Sequence, residues 1–380
     1  MNTFSIIKKI DSLIGPVIIF ALEKSSKFIT RKSDKTKKIL LIKFGNIGDV
    51  LITTPSIRAI REKFPESKIT ILTSKRTCGL YEQYSYIDNV INANLAENKN
   101  IVGNLVSTII GTFSLAKTIR NENFDLVIDF ETYSTFSACL SFFSGASTRI
   151  GIDFEGSPRK KLYSYSLPYI QENRHELDTF LELVSLIGAK TTNKETEIII
   201  SKKDLKFADK LIKRLPKQKT IAIHAGGNSD WPIKRWPEEN FAGLLQFLTK
   251  RYNANIILVG SKEEQEINSR LKKENIITDI AGNANLNELA AILSKCDLFI
   301  GNDSAPMHIA AAVKTKTIGI MNCVNPKRWG PYGKGNIAIT NASQENPYWN
   351  GYLGNPDLVK NPEFASVKTV IQAVEKQLGR

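Results

Sequence analysis

The residues with the clearest chemical use lie in four short segments, each of which follows an apolar run. The first segment, FGNIGDV, contains Gly45, Gly48 and Asp49. Its glycines allow the backbone to approach a ligand closely, and the helix predicted to begin here offers unpaired N–H groups at its positive end. Asp49 is then either a cap of that helix, where aspartate is favoured, or a general base. Spacing alone leaves both interpretations open.

The second segment, IHAGGNSDWPIKRWP, places Gly226 and Gly227 directly after a strand and Lys234 a few residues later. Glycine N–H groups and a lysine ammonium are suited to phosphate oxygens. The alternative is a turn with a lysine that faces solvent. Because Trp231 and Trp236 lie in the same short loop, the pattern favours a packed loop and a formed site.

The third segment, LVGSKEEQE, places Glu263 or Glu264 just past the end of a strand. A carboxylate at this position can accept hydrogen bonds from both hydroxyls of a ribose. The alternative is an ordinary acidic first turn of a helix, which spacing alone favours.

The fourth segment, IGNDSAPMHIAAAV, ends a strand at Asp303 and Ser304, and MHIAAAV begins a helix rich in small residues. Ser304 and the amides after it are expected to face an anion at the helix N-terminus. His308 follows Ser304 by four residues, so one helical turn brings both side chains to one place. A single histidine on a helix is more often structural, but the other phosphate-binding features favour a functional role here.

The sequence predicts no metal site and no cofactor. It has no D-x-D pair, which would supply the oxygen ligands that Mg²⁺ needs. Its histidines and cysteines have no metal-binding spacing: His175, His224, His308, Cys78, Cys139, Cys296 and Cys323. The cysteines are therefore predicted to be reduced thiols of a cytoplasmic protein. If a sugar diphosphate is cleaved, Lys234 and helix ends must supply the positive charge.

The elements that position these segments follow an alternating strand–helix pattern, which predicts an α/β fold with two doubly wound domains that face a central cleft. The predicted strands are KKILLIKF, KITILTS, FDLVIDF, TRIGI, TEIIIS, KTIAIHAG, ANIILVG, ITDIAG, DLFIGND and KTIGIM. The predicted helices cover 50–63, 177–187, 203–214, 238–251, 262–273 and 286–295. In such sheets ligands bind at the carboxyl ends of strands. Residues 98–116 have no clear assignment.

Four segments make up the predicted domain organisation. Residues 39–200 form an N-terminal domain, and residues 201–345 form a C-terminal domain. Residues 346–380 form a tail whose helix, at 363–379, packs back across the domains. Residues 1–38 form an N-terminal extension.

The net charge of +14 indicates an anionic partner. The N-terminal extension is especially basic, with nine Lys and Arg residues against three acidic residues. Its apolar run is too short to cross a membrane and has no signal cleavage site. One face of a predicted helix carries only apolar residues, namely Ile6, Ile10, Leu13, Ile14, Val17 and Phe20. We therefore expect residues 5–38 to lie on an anionic membrane surface. The alternative is a helix packed on the protein itself.

Taken in order, the stretches ILLIKFGNIGDVLITTPSIRAIREKFPESKITIL, NFDLVIDF…STRIGID, HAGGNSDWPIKRWPEENF and GNDSAPMHIAAA…WGPYG resemble the bacterial heptosyltransferase family, glycosyltransferase family nine. The resemblance covers residues 38–335. It implies a GT-B architecture in which two Rossmann-like domains bind acceptor and donor, N-terminal and C-terminal respectively. The donor it implies is a nucleotide sugar, ADP-heptose in the best-known members. The acceptor is an inner-core lipopolysaccharide intermediate at the cytoplasmic face of the inner membrane.

The resemblance also implies roles for individual residues. Asp49 matches the catalytic base in G-D-x-L, and Lys234 matches the lysine that contacts the donor phosphate. Asp303, Ser304 and His308 match the D-[ST]-x-x-x-H motif that holds the donor, and Glu264 matches the ribose ligand.

The chain departs from the family pattern at four places. The segment DFETYSTFSACL contains Glu131 and no basic residue, which argues against the usual acidic acceptor. Ala305 stands where glycine is typical, and the extension up to residue 38 is unusual for the family. The segment MNCVNPKRWGPYG keeps the Pro-Tyr-Gly end of the family pattern but differs in the part that the resemblance places against the nucleobase.

The resulting prediction is an inverting, metal-independent glycosyltransferase. A transferase with a different sugar, or a nucleotide-sugar epimerase of the same fold, is the alternative enzyme class. A nucleic-acid-binding protein is disfavoured because no recognition motif accompanies the charge. A catalytically silent membrane scaffold is disfavoured because the donor-site residues are retained.

Overall fold

The structure, a computed structural model, describes residue 19 and residues 36–93, 101–170, 174–227, 232–272, 277–342 and 363–379. The chain forms two compact units. The N-terminal unit contains Met1–Glu172 and Leu177–Lys194, and the C-terminal unit contains Asn173–Glu176 and Glu195–Arg380.

The N-terminal unit contains a six-stranded sheet in which every neighbouring pair is parallel. Its strands are β1 (Lys38–Ile42), β2 (Lys68–Thr73), β3 (Asn89–Asn92), β4 (Leu126–Asp129), β5 (Thr148–Asp153) and β6 (Tyr165–Pro168). Their order is β3-β2-β1-β4-β5-β6. Its helices are α1 (Ile47–Lys63), α2 (Lys75–Tyr81), α3 (Ile101–Glu122), α4 (Thr135–Phe143) and, from Leu177 onward, α5 (Glu176–Ser185), and a short 3₁₀ turn covers Pro158–Leu162.

The C-terminal unit repeats this topology with a second parallel sheet. Its strands are β7 (Thr220–His224), β8 (Asn255–Leu258), β9 (Ile277–Asp279), β10 (Leu298–Asn302), β11 (Thr317–Ile320) and β12 (Ile337–Ile339), in the order β12-β11-β10-β7-β8-β9. Its helices are α6 (Lys202–Ile212), α7 (Glu238–Tyr252), α8 (Gln265–Lys272), α9 (Leu286–Leu293), α10 (Ala305–Ala312), α11 (Pro326–Trp329) and α12 (Val367–Leu378). Short 3₁₀ turns cover Pro232–Lys234 and Lys262–Glu264.

Both central strands are apolar because helices cover both faces of each sheet. In β1 the side chains of Ile39, Leu40, Leu41 and Ile42 are all fully buried. Ile221, Ala222 and Ile223 of β7 are buried in the same way. Each sheet therefore has a core on both sides. The prediction of an α/β fold with two doubly wound sheets is confirmed.

Several local predictions differ from the structure. TEIIIS, at residues 196–201, is not a strand, so that prediction is wrong. The carbonyl of Ile199 there accepts a hydrogen bond from Asn287 Nδ2 at 2.6 Å, and a side chain thus replaces a neighbouring strand. Residues 98–116, unassigned from the sequence, lie largely in α3, where Leu115 and Ile119 are buried and Phe113 is exposed. Strands β3, β6 and β12 were not predicted because they lie at sheet edges, where most of their side chains are only partly buried and no long apolar run is needed.

Two predictions concern the ends of the chain. Most of the predicted membrane-binding extension lies outside the described residues, but Ile19 is fully buried against Phe142, Leu162 and Tyr163 of the N-terminal unit. The C-terminal helix α12 packs on the core of the C-terminal unit through Val370 and Val374. Its predicted packing across the domains stays a prediction. None of the helices in the described ranges is long and apolar enough to cross a membrane.

Candidate functional site

The predicted donor-binding residues lie at the carboxyl ends of three adjacent strands of the C-terminal sheet. Strand β7 lies between β10 and β8 in this sheet, at the point where the strand order reverses. Ligands of doubly wound sheets bind at such a switch point because the loops there diverge and leave a crevice. The segments that begin at Ala225, Val259 and Asp303 follow these three strands.

His224, at the end of β7, connects two of the predicted residues. Its Nε2 lies 3.1 Å from Glu264 Oε1, and its Nδ1 lies 2.9 Å from Ser304 Oγ. Only 2% of His224 is exposed, so all three side chains form one network largely shielded from water. The sequence places these residues 40 and 80 positions apart, and the β10-β7-β8 order brings them together.

The carboxylate of Glu264 is ionised in this environment. Burial acts to raise its pKa, but the hydrogen bond and charge of His224 and the N–H groups of Ser261 and Gly227 outweigh burial and lower the pKa to about 2. The Ser261 N–H contributes a hydrogen bond of 2.6 Å to Oε2. Glu264 is thus both a helix cap and a member of the polar network, whereas Glu263 is exposed to solvent.

The donors and acceptors of this network constrain its hydrogens. An ionised carboxylate only accepts, so Nε2 of His224 carries the proton that faces Glu264. Ser304 Oγ lies within hydrogen-bond distance of two groups, Nδ1 of His224 at 2.9 Å and the carbonyl of Asn302 at 3.1 Å. The carbonyl only accepts, so the bond to Asn302 is one that the serine hydroxyl donates.

Gly226 is required by the close packing of the Glu264 carboxylate. A Cβ atom at position 226 would lie 1.9 Å from Glu264 Oε1, far inside contact distance. Gly260 approaches the other oxygen, and its φ of +154° lies in the region that favours glycine. Gly227 also has a positive φ, of +153°. Gly226, which was predicted to approach a phosphate, thus makes room for Glu264.

Lys234 and Asp303 form the second polar pair of this site. Lys234 Nζ lies 2.7 Å from Asp303 Oδ2, and the two side chains are 26% and 9% exposed. Asn302, fully buried, fixes the loop that carries Lys234, since its amide donates to the carbonyls of Ala225 and Gly226 and accepts from Trp236 N at 3.0 Å. The structure thereby holds a lysine ammonium beside the glycine loop.

Trp236 confirms the prediction that this loop is packed. Its indole is 1% exposed, and its Nε1 donates to the carbonyl of Ala365 at 2.7 Å. Its ring makes an edge contact with Phe241, with centroids 4.9 Å apart. The other tryptophan of the segment, Trp231, lies outside the described residues.

Helix α10 begins at Ala305 with few free N–H groups. Pro306 has none, and the N–H of Met307 is bonded to the carbonyl of Ser304. The N–H of Ala305 has no hydrogen-bond partner within the described ranges. His308 lies one turn further along and is buried. An anion at this end is therefore expected to meet the Ala305 N–H, with Lys234 supplying the charge.

Asp49 belongs to the N-terminal unit, where it occupies the first turn of α1. Its Oδ2 accepts the N–H of Asn46 at 2.8 Å, so Asp49 does cap the helix. A Cβ atom at Gly45 would lie 2.7 Å from the Asp49 side chain, which explains the glycine at that position. Gly48 is buried in the same turn. Capping uses one carboxylate oxygen, so the two interpretations of Asp49 are compatible.

A buried polar network follows β4 in the N-terminal unit. Asp129 accepts hydrogen bonds from Tyr163 at 2.6 Å and Ser137 at 2.7 Å, and it pairs with Arg159 at 3.2 Å. Burial raises the pKa of Asp129 above its usual range, although the Arg159 guanidinium counteracts it. Both charged side chains are fully buried, which makes this a structural pair.

Sequence reasoning missed four residues that support the loops of the two units: His224, Asn302, Arg159 and Lys43, whose Nζ lies 3.5 Å from Glu131 Oε1. His224 and Asn302 end strands β7 and β10, and polar residues at the carboxyl ends of apolar strands are a signal that could have identified them. Arg159 lies in the 3₁₀ turn Pro158–Leu162, which no comparable pattern marks. Across the described ranges, no group of three or more His, Cys, Asp or Glu side chains could hold a metal ion.

Comparisons with known proteins agree with this architecture. The family model of glycosyltransferase family 9 (heptosyltransferase) matches residues 112–350. The lipopolysaccharide core heptosyltransferase OpsX of Haemophilus influenzae is 27% identical over 307 residues, which are 79% of this chain and 83% of OpsX.

Two solved structures share the fold. The glycosyl transferase family 9 from Veillonella parvula DSM 2008 has a TM-score of 0.73 at 21% identity and covers 92% of this chain and 99% of its own. The E. coli heptosyltransferase WaaC with ADP has a TM-score of 0.63 at 18% identity, and the match covers 90% of this chain and 99% of the WaaC chain. The predicted GT-B architecture of two Rossmann-like domains is thereby confirmed. Because the family model matches more than half of the chain, the protein belongs to glycosyltransferase family 9, the heptosyltransferases, and is a glycosyltransferase.

Proposed function

We propose that this enzyme transfers heptose from ADP-heptose to a lipopolysaccharide core acceptor, with inversion at the anomeric carbon and without a metal ion. One observation carries the proposal. At the switch point of the C-terminal sheet, an ionised carboxylate, Glu264, lies beside the glycine loop that also positions the Lys234 ammonium. A hydroxyl-binding carboxylate and a phosphate-binding cation are what a nucleoside diphosphate sugar requires. OpsX and WaaC, named above, are called heptosyltransferases, and WaaC was solved with ADP.

In the proposed donor site each residue has a separate task. Glu264 accepts hydrogen bonds from the ribose hydroxyls. Lys234 and the N–H of Ala305 stabilise the diphosphate as the bond to the sugar breaks, and this replaces the positive charge that a metal supplies elsewhere. Asp303 positions Lys234, while Ser304 and His308 complete the wall of the site. The acceptor binds to the N-terminal domain.

Asp49 is the proposed general base. It takes the proton from the acceptor hydroxyl as that oxygen attacks the anomeric carbon. Oδ2 of Asp49 already accepts the N–H of Asn46, so the other carboxylate oxygen is the one proposed to take the proton. The forming C–O bond makes the hydroxyl acidic, and the proton moves to Asp49 as that bond forms.

We further propose that residues 5–38 hold the enzyme on the cytoplasmic face of the bacterial inner membrane. The support is the excess of basic residues in this segment and the glycolipid nature of the proposed acceptor. Burial of Ile19 indicates that part of the extension also packs on the N-terminal unit.

The Gly226→Ala substitution tests the donor site. The added methyl group overlaps Glu264 Oε1, so the carboxylate must turn away from His224 and the ribose. We expect ADP to bind about 10- to 100-fold more weakly, as for loss of a charged hydrogen bond. Calorimetry measures the dissociation constant. Gly243→Ala is the control, since its Cβ atom meets Val367 at an ordinary 3.8 Å. Equal ADP affinity in both variants contradicts the role of Glu264.

A donor and acceptor panel tests the proposed reaction as a whole. Thermal unfolding is measured with ADP, GDP and UDP, and ADP is expected to raise the melting temperature most. Turnover is then measured as ADP release from ADP-heptose with and without heptose-free lipopolysaccharide core. Transfer predicts ADP release that depends on the acceptor, and the product anomer, determined by NMR, is inverted. An isomerised nucleotide sugar without an acceptor supports the epimerase instead, which no feature of the site favours.

A further inference from the structure

Glu131 contacts the loop that precedes Asp49. The β1–α1 loop consists of residues 43–46, between the end of β1 and the start of α1. Glu131 Oε1 accepts a hydrogen bond from Phe44 N at 2.8 Å, and Lys43 Nζ lies 3.5 Å from the same oxygen. The side chains of Lys43 and Glu131 are 7% and 18% exposed. These contacts are therefore largely shielded from water, where charged hydrogen bonds are stronger.

The Glu131 side chain makes its hydrogen bond just beyond the last backbone hydrogen bond between β1 and the β4 side of the sheet. The last backbone bond from the β4 side runs from Phe130 N to the carbonyl of Ile42 at 3.0 Å. Beyond it, the N–H of Phe44 is bonded to the Glu131 carboxylate instead of a strand. The Glu131 carboxylate thus continues the hydrogen bonding between the β4 side and the chain of β1 by two residues, from Ile42 to Phe44 in the β1–α1 loop.

Glu131 is itself held rigidly. Its own N–H donates to Asp129 Oδ1 at 2.9 Å, and its carbonyl accepts from the Arg159 guanidinium at 2.5 Å. Asp129 and Arg159 are both fully buried. The buried network at the end of β4 contains no predicted site residue. It fixes the position of Glu131, and Glu131 in turn binds the β1–α1 loop.

The loop transmits this anchoring to Asp49. Asn46 N donates to Asp49 Oδ2 at 2.8 Å, and Gly45 is packed so tightly against Asp49 that no Cβ atom fits. A shift of Phe44 therefore moves the two residues that contact the Asp49 carboxylate. Misplacement of a reacting group by about 1 Å can lower the rate about 10²-fold. Loss of the contact between Glu131 and Phe44 is therefore expected to lower the rate of transfer.

We propose that Glu131 is a positioning residue for the transfer reaction, which holds the β1–α1 loop so that the Asp49 carboxylate meets the acceptor hydroxyl. This inference rests on the proposed function, in which Asp49 is the base. It also assigns Glu131 a task other than the acceptor recognition that its place in the sequence suggests. The carboxylate of Glu131 is bonded to Phe44 N and lies beside Lys43. It is therefore not assigned a role in selecting the acceptor by its charge.

Three variants test the proposal. Glu131→Ala removes the acceptor of the Phe44 N–H, and we expect kcat to fall about 10- to 100-fold while the donor KM stays within about twofold. Glu131→Gln retains an acceptor oxygen and is expected to keep kcat within about threefold of the wild type. If the alanine variant does not fold, Glu131→Met, which keeps the side-chain volume, replaces it.

Asp125→Ala is the matched control. Asp125 precedes β4 as Glu131 follows it, and its Oδ2 accepts the N–H groups of Lys37 at 2.8 Å and Lys38 at 2.9 Å, at the opposite end of β1. We expect a lower melting temperature and an unchanged kcat. A loss of kcat in this control equal to that in Glu131→Ala indicates general destabilisation and overturns the proposal. So does wild-type kcat in Glu131→Ala, or an equal loss in Glu131→Gln.

A double-mutant cycle separates this inference from the assignment of Asp49. If Glu131 acts through Asp49, Glu131→Ala has little further effect on kcat in the Asp49→Asn background. An undiminished loss in that background overturns the role of Glu131 alone. Wild-type turnover in the single variant Asp49→Asn overturns the assignment of the base, and this inference with it. Turnover is measured as ADP release with heptose-free lipopolysaccharide core.

Discussion

Replacement of Asp49 by asparagine is expected to lower kcat by about 10²- to 10⁴-fold, the usual effect of losing a general base. The amide oxygen can still accept the N–H of Asn46, which the carboxylate bonds at 2.8 Å. The cap of α1 therefore remains, and the substitution removes the basicity of the side chain with little change in shape. The affinity for ADP should stay within about twofold, because the proposed donor residues all belong to the C-terminal unit.

Asp204→Asn is the matched control for this variant. Asp204 occupies the same first-turn position in α6, and its Oδ2 accepts the N–H of Ser201 at 2.8 Å. Loss of the capping charge alone should thus change the melting temperature of both variants by a similar amount. Only Asp49→Asn should lose turnover, measured as ADP release at saturating acceptor. Turnover within about threefold of the wild type would reject Asp49 as the base.

The second large effect is expected for Lys234→Met, which keeps the length of the side chain and removes its charge. Loss of a group that stabilises the departing diphosphate should reduce kcat by about 10²- to 10³-fold. The dissociation constant of ADP should also rise. The substitution leaves Asp303, 9% exposed and bonded to Lys234 at 2.7 Å, without its partner. A fall of about 1–3 kcal/mol in the free energy of unfolding is therefore also expected.

The double variant Lys234→Met, Asp303→Asn separates catalysis from stability. Because both charges are removed together, no buried carboxylate is left unpaired, and the melting temperature should recover. Turnover should not recover, since the diphosphate still lacks its cation. Lys250→Met, an exposed position on α7, is the control for loss of one positive charge. Recovery of both stability and kcat in the double variant would show that Lys234 only neutralises Asp303.

Much of the fold could be predicted from the sequence because its signals are local. Continuous apolar runs such as ILLI and TIAI predict strands buried on both faces, and both proved to be the central strands of parallel sheets. The segments after these two strands contain Asp49 and Lys234, two of the predicted site residues. The edge strands β3, β6 and β12, by contrast, escaped prediction because most of their side chains are only partly buried and show no long apolar run. TEIIIS had a strand pattern but no neighbouring strand.

The contacts of the candidate site required the tertiary structure. The sequence by itself determined which residue types follow the strands: Gly226, Glu264, Asp303 and Ser304 in one unit, and Asp49 in the other. Only the β10-β7-β8 order places His224 between Glu264 and Ser304, and only the folded loop pairs Lys234 with Asp303, 69 residues away. The contact of Glu131 with Phe44, 87 residues apart, is of the same kind. Local periodicity specifies each element, whereas pairings across such separations depend on the strand order, which no single segment encodes.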